Sequence, residues 1–207
     1  MSVTSKKRTY ARIAQLYDLL DLPFEYLRYR KLRKLIFDGL SGGALLDAGI
    51  GTGRNIPYYP EDMKVTGIDI CPQMLSRAMH RRDRLGTLVD LYGMNVLDLE
   101  FGDHTFDHIA STFMFCVLDD ENQLPALKEL KRVCRPNGQI HILEYSMSKD
   151  PFRAFIMRLW APWVHFAYGA SFDRQTEQYL EDAGLELVSK DYIHLDIIKL
   201  LRVQPKT

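Results

Sequence analysis

Leu45-Leu46-Asp47-Ala48-Gly49-Ile50-Gly51-Thr52-Gly53-Arg54-Asn55 sets three glycines at every second position, directly after an apolar run that carries an acid. Glycine weakens regular elements. Three together mark either a chain turning through positive φ or a backbone that something approaches too closely for a side chain. The run 44–48 reads as a short strand closed by these glycines, and 53–58 as a brief helix stopped by Pro57 and Pro60.

Outward from this loop, strand and helix patterns alternate. Residues 64–70 read as a second strand, and 72–84 as a helix with Pro72 in its first turn. Strands follow at 88–96 and 106–113, then an amphipathic helix at 121–134, ended by Arg135-Pro136-Asn137-Gly138, and a fifth strand at 139–145. Residues 151–169 form an aromatic-rich helical insert, 173–183 a further helix closed by Gly184, and 185–193 and 197–203 two final strands. Upstream, 10–40 carries apolar residues at helical spacing (Ile13, Leu16, Tyr17, Leu20, then Leu27, Leu32, Ile36, Phe37), split into two helices near Pro23. The alternation predicts an α/β fold: a doubly wound, mostly parallel, seven-stranded sheet with an antiparallel C-terminal edge hairpin. The 207 residues make one domain, to which the basic helices of 1–40 and the insert 151–169 are additions.

The formal charge is balanced, with 27 Lys+Arg and 27 Asp+Glu, so no global field argues for nucleic acid. Locally, residues 1–34 carry nine cations against three acids, while 98–121 carry seven acids and no Lys or Arg, which reads mostly as a solvated acidic face. The cysteines Cys71, Cys116 and Cys134 are odd in number and widely spaced, the usage of a reducing compartment without a zinc site. The N-terminus shows no apolar signal region and no run is long enough to span a bilayer, so the expected location is cytoplasmic.

The loop's ligand follows by elimination. A dinucleotide fingerprint needs a glycine where Arg54 stands, and a phosphate loop needs a lysine that is missing. Asp-x-Gly-x-Gly-x-Gly fits instead. Asp69 lies 22 residues beyond Asp47, at the end of the second strand, where a carboxylate accepts hydrogen bonds from both ribose hydroxyls. Asn95 ends the third strand, where an amide meets an adenine edge. Together they ask for a ribose-bearing adenine ligand with no pyrophosphate. Asp69 also stands where a cap for the helix at Pro72 is needed, and the two roles coexist.

These residues, with Pro72-Gln73-Met74-Leu75, Phe101-x-Asp103-x-x-Phe106-Asp107 and Leu127-x-Glu129-x-x-Arg132-Val133-x-Arg135-Pro136-x-Gly138, resemble the class I S-adenosylmethionine-dependent methyltransferases. The resemblance implies S-adenosylmethionine as cofactor, S-adenosylhomocysteine as its product, and no metal. It puts Asp47, Gly49, Gly51, Gly53 and Asn55 in the cofactor loop and Asp69 on the ribose. It sets Ile70 and Met74 beside the adenine, and Asn95 and Val96 at its edge, Asn95 standing where the family usually has an acid. Thr112 and Phe113 lie under the methionine near the sulfonium.

Methyl transfer from a sulfonium needs alignment above all, and a general base only where the nucleophile starts protonated. Tyr17 in Ile13-Ala14-Gln15-Leu16-Tyr17-Asp18 resembles the entry helix of quinone C-methyltransferases and bacterial phosphatidylethanolamine N-methyltransferases, in which such a tyrosine helps to close the site. Glu144 and Tyr145 end the fifth strand, where relatives often carry Glu-His, and complete the candidate catalytic set. Tyr17 reads equally as a core aromatic, and Glu144 as a structural carboxylate.

Two features favour a lipid acceptor with peripheral membrane contact: the basic segment 1–34, and 151–169 with its two tryptophans among cations and aliphatics. The expected reaction is N-methylation of a phospholipid amine, phosphatidylethanolamine first. The alternatives are a quinone precursor or another small hydrophobic or thiol acceptor under a helical lid and, in another class, a non-catalytic cofactor- or lipid-binding module.

Overall fold

A computed structural model describes residues 29–206. Helix α1, Arg30–Phe37, turns Leu32, Ile36 and Phe37 inward. Then come β1 Ala44–Ala48, a 3-10 turn Ile56–Tyr58, β2 Lys64–Asp69, α2 Pro72–Leu85, β3 Val89–Gly93, β4 Phe106–Thr112, α3 Asp120–Val133 and β5 Cys134–Tyr145. Helix α4 spans Pro151–Tyr168, and β6 Leu185–His194 and β7 Ile198–Pro205 complete the chain. The seven strands form one sheet in the order β3-β2-β1-β4-β5-β7-β6, parallel through the first five and antiparallel at β5-β7 and β7-β6. The chain leaves β1 toward β3 and returns on the other side at β4. The direction therefore reverses between β1 and β4, where such sheets open a crevice beyond their carboxyl ends.

The core lies on both sheet faces, because Leu45, Leu46, Ile109, Ile140, Ile142, Leu200 and Leu201 are all fully buried. The elements match expectation closely where periodicity is strong. Pro72 opens α2, and Gly86 at φ 65° ends it.

Where the pattern was interrupted, the elements differ from expectation. The segment 53–58 makes only a 3-10 turn. The third strand stops at Gly93, because the backbone turns at Asn95, whose carbonyl accepts Asp98 N–H. Residues 135–138 do not end pairing. Strand β5 begins at Cys134, opposite Phe106, and the four residues bulge out before Gln139 rejoins beside His108. The helix expected at 173–183 reduces to a 3-10 turn, Thr176–Tyr179. Side chains pin this stretch instead: Thr176 donates to Gln123, and Arg174 pairs with Asp119 and Asp120. Nor is the acidic stretch 98–121 simply solvated. Asp103 pairs with Arg132 and Asp107 with Arg135, while Arg132 also donates to the carbonyls of Leu99 and Phe101.

Gly53 is a glycine of the loop that the packing leaves little room to change. It sits at φ +77°, and a Cβ there would lie 3.1 Å from Ala78 Cα of α2 and 2.7 Å from Ile56 Cδ1. Gly53→Ala is expected to destabilise the fold by about 1–3 kcal/mol. An unchanged midpoint in urea unfolding would show that the loop relaxes freely.

Candidate active site

The crevice at the β1/β4 reversal is built on two carboxylates. Asp47, the fourth residue of β1, is fully buried. One of its oxygens accepts from Asn55 Nδ2 at 2.8 Å and from the Tyr59 hydroxyl, while the other, Oδ1, has no partner. Asn55 Nδ2 also reaches Thr112 Oγ1 at 3.0 Å, and its Oδ1 accepts from Arg33 at 2.9 Å. Loss of hydration pushes the Asp47 carboxyl up, partly offset by the Tyr59 and Asn55 hydrogen bonds.

Asp69 ends β2. Its Oδ2 accepts Gly51 N–H at 2.9 Å and its Oδ1 accepts Cys71 N–H at 2.8 Å. One carboxylate thus fixes both the glycine loop and the entry to α2. Each oxygen keeps a second lone-pair direction, the pair of acceptors a ribose diol needs. Desolvation pushes this carboxyl up to about 6, against the pull of its two backbone N–H bonds.

The glycines Gly49, Gly51 and Gly53 all have positive φ, 79°, 57° and 77°. A Cβ built on Gly51 would meet nothing within 4 Å, so this bare backbone faces the open crevice. Open glycine backbone, a two-oxygen acceptor on Asp69 and an orphaned buried acceptor on Asp47 fit an adenosyl ligand that carries an amino-acid end. When bound, that ligand supplies a sulfonium-borne methyl as electrophile.

Of the residues expected at the cofactor, Gly49, Gly51, Asn55, Asp69, Ile70, Met74, Asn95, Val96, Thr112 and Phe113 all line the crevice. Asp47 and Gly53 stand behind it as support. Asn95 Oδ1 is engaged by Leu97 N–H at 3.1 Å, so its amide nitrogen remains for a ligand. The sequence reading missed Arg33, Met94, Asp119 and Asn122, which also line the crevice. Arg33 is 8% exposed, so it does not belong to a solvated basic arm. Its register with Leu32, Ile36 and Phe37 on the inward face of α1 is the signal that would have found it.

The expected catalytic residues divide. Tyr17 lies outside the described residues. Glu144 is 2% exposed and away from the crevice lining. Its two oxygens accept the N–H groups of Phe115 at 2.6 Å and Cys116 at 3.0 Å, so it braces the loop after β4, and burial lifts it to about 7. Among the described residues this loop is what it holds. Tyr145 stands one ring behind the crevice, stacked on Phe113 at 4.6 Å. Its hydroxyl meets that of Tyr29 at 2.9 Å, and Phe172 packs edge-on against it at 5.3 Å. Phe113 itself sits at φ 55°, a strained value for a bulky residue, held there by its N–H bond to Leu143 O. The site thus combines a cofactor crevice with an aromatic wall of Tyr29, Phe113 and Tyr145. Cys71, Cys116 and Cys134 are free and buried, and the described residues hold no cluster of metal ligands.

A methyltransferase domain model matches residues 46–142. A phosphatidylethanolamine N-methyltransferase of Cereibacter sphaeroides is 34% identical over 116 residues, 55% of this chain and 56% of that protein, so the match spans little more than half of that relative. A ubiquinone/menaquinone biosynthesis C-methyltransferase of Geobacter sp. (strain M21) is 30% identical over 192 residues, 88% of this chain and 81% of the relative. The solved structure of a SAM-dependent methyltransferase from Aquifex aeolicus shares the fold, with a TM-score of 0.65 over 93% of this chain and 96% of that one at 24% identity. The chain belongs to the S-adenosylmethionine-dependent methyltransferases, and S-adenosylmethionine is its cofactor.

Two outcomes follow from the carboxylates. Ribose hydroxyls bind the ionised form of Asp69, so S-adenosylhomocysteine affinity measured by calorimetry should hold above pH about 6 and fall below it. Asp69→Ala should remove that pH dependence and weaken binding by about 1.5–3 kcal/mol. Glu144 is raised from 4.5 to about 7 in the fold, so the native state binds the proton more tightly than the unfolded chain does. Its contribution to stability is therefore full below pH about 4.5 and is lost as pH rises through about 7. Unfolding free energies of wild type and Glu144→Gln should converge or cross over that window, and a constant difference would refute the assignment.

Proposed function

We propose that this methyltransferase N-methylates a phospholipid amine, phosphatidylethanolamine in the first instance, while resting on the membrane surface. The observation that carries the reading is the exposed face of α4. Phe152, Phe155, Leu159, Trp160, Trp163 and Phe166 are 46–83% exposed, and among the described residues of the helix Ala154 is the one buried hydrophobic. Exposed apolar surface of this extent on a single helix marks a contact with lipid or protein. Two tryptophans with Arg153 and Arg158 on the same helix favour the bilayer interface. No helix among the described residues is long and apolar enough to cross a membrane.

The wall made by Tyr29, Phe113 and Tyr145 supports an amine acceptor. Ring faces attract an ammonium and its methylated products through cation–π interaction. It also supports the quinone alternative, because a planar ring stacks on the same surface. The phospholipid relative shares its substrate class with this reading, and the quinone relative with the alternative.

Labelled methyl from S-adenosylmethionine is expected to appear in the lipid fraction when the protein meets phosphatidylethanolamine vesicles. Label found only in a demethylated quinone offered in the same vesicles would transfer the assignment to carbon methylation. Label in neither would leave a binding module.

A further inference from the structure

A second cavity, of about 810 Å³, lies under α4, between that helix, the 170–177 segment and strands β6 and β7. It is polar and cationic where the cofactor crevice is largely apolar. Lys149, Arg158, Arg174, Lys190 and Lys199 line it, against only Asp173 and Glu177. The ion pairs are uneven. Glu177 alone serves two ammonium groups, with Lys190 Nζ and Lys199 Nζ each at 2.5 Å. Lys199 is 1% exposed, and burial of a lysine on half a counter-charge is costly. Arg174 Nε is also buried without a partner. Neither Lys149 nor Arg158 has an acidic partner among the described residues. Arg174 is already paired with Asp119 and Asp120, but an anion in the cavity would answer Lys149, Arg158 and the two lysines that share Glu177, and the volume is that of a ligand pocket, well beyond the need of a lone ion.

The cavity adjoins both functional surfaces. Phe172 lines it and meets Tyr145 edge-on, and Tyr145 stacks on Phe113 of the cofactor crevice. Arg158, Ala161, Pro162 and His165 line it from α4, the helix that also carries the exposed apolar side chains Phe152, Phe155, Leu159 and Phe166. An amphiphile with a phosphate at its head fits this layout: phosphate on the cations, amine toward the aromatic wall, chains along α4.

We infer that this cavity seats the phosphodiester of the acceptor lipid, held by Lys190, Lys199 and Arg158. The inference rests on the phospholipid reading above and adds the site that selects the headgroup. Charged donors to phosphate are the strong kind of hydrogen bond, and Arg158 supplies the forked geometry that phosphate accepts.

The test titrates the full chain, saturated with S-adenosylhomocysteine, by calorimetry with dihexanoyl phosphatidylethanolamine below its micelle concentration. Inorganic phosphate and dihexanoyl glycerol are run alongside. The lipid should bind, phosphate should compete with it, and the phosphate-free diacylglycerol should bind at least about tenfold more weakly. Arg158→Gln combined with Lys190→Gln should cost the lipid about tenfold and leave S-adenosylhomocysteine affinity unchanged, which also reports an intact fold. The inference is overturned by equal affinity for lipid and diacylglycerol, by a variant that binds lipid as wild type does, or by a site that takes inorganic phosphate but no lipid. Vesicle assays separate the two claims. Phosphatidylethanolamine methylated with the same KM by wild type and variant removes the headgroup site and keeps the acceptor. Lipid binding that the variant loses, with no methylation by wild type, keeps the site and removes the acceptor.

Discussion

The grip of Asp69 on Gly51 N–H is the contact on which the active site depends. A glycine loop has the freedom to make room for a cofactor, and the same freedom lets it collapse when nothing holds it. Asp69 Oδ2 holds it from the neighbouring strand, while Oδ1 sets the first turn of α2. The carboxylate is kept poorly hydrated to do so, and Asp47 on the adjacent strand raises its proton affinity further. The structure tolerates two acids this close because Asn55, Tyr59 and backbone amides satisfy most of their oxygens. The acceptor capacity left on Asp69 faces the crevice.

A further carboxylate, buried on β5 two strands beyond Asp47, repeats the device. Glu144 holds the amides of Phe115 and Cys116, and so fixes the loop that follows Phe113. With Phe113 held at positive φ, its ring forms a fixed wall of the crevice, backed by Tyr145. Alignment is the main demand of methyl transfer, and a rigid wall serves it better than an acid or base would. That Glu144 braces this loop, and Tyr145 backs the wall, accords with a reaction whose electrophile the cofactor brings.

The insert divides the labour further. Helix α4 is attached at its ends: Asp150 caps Arg153 N–H, Asp196 holds Ser148 and Lys149 N–H, and Gly169 closes the last turn at φ 64°. Between these ends it contributes little to the core. A helix so apolar and so little packed is stable in water only as far as its caps and its polar underside allow.

Much of this was legible in the residues. The glycine spacing, Asp69 at its distance from Asp47 and the run of strand and helix periods determined the sheet, its reversal and the cofactor crevice, because backbone dihedral needs and periodicity are local properties of a chain. Pairings between distant residues were not legible. Arg33 was read as part of a basic surface and instead reaches Asn55, Glu144 was read both as a catalytic candidate and as a structural carboxylate and its bracing of a loop could not be foreseen, and 173–183 was read as a helix where side-chain tethers overrule propensity. The cationic cavity under α4 draws on segments as far apart as Lys149 and Lys199. Only folding sets their charges against one another, because the energy of a buried charge depends on which groups surround it and not on its neighbours in sequence.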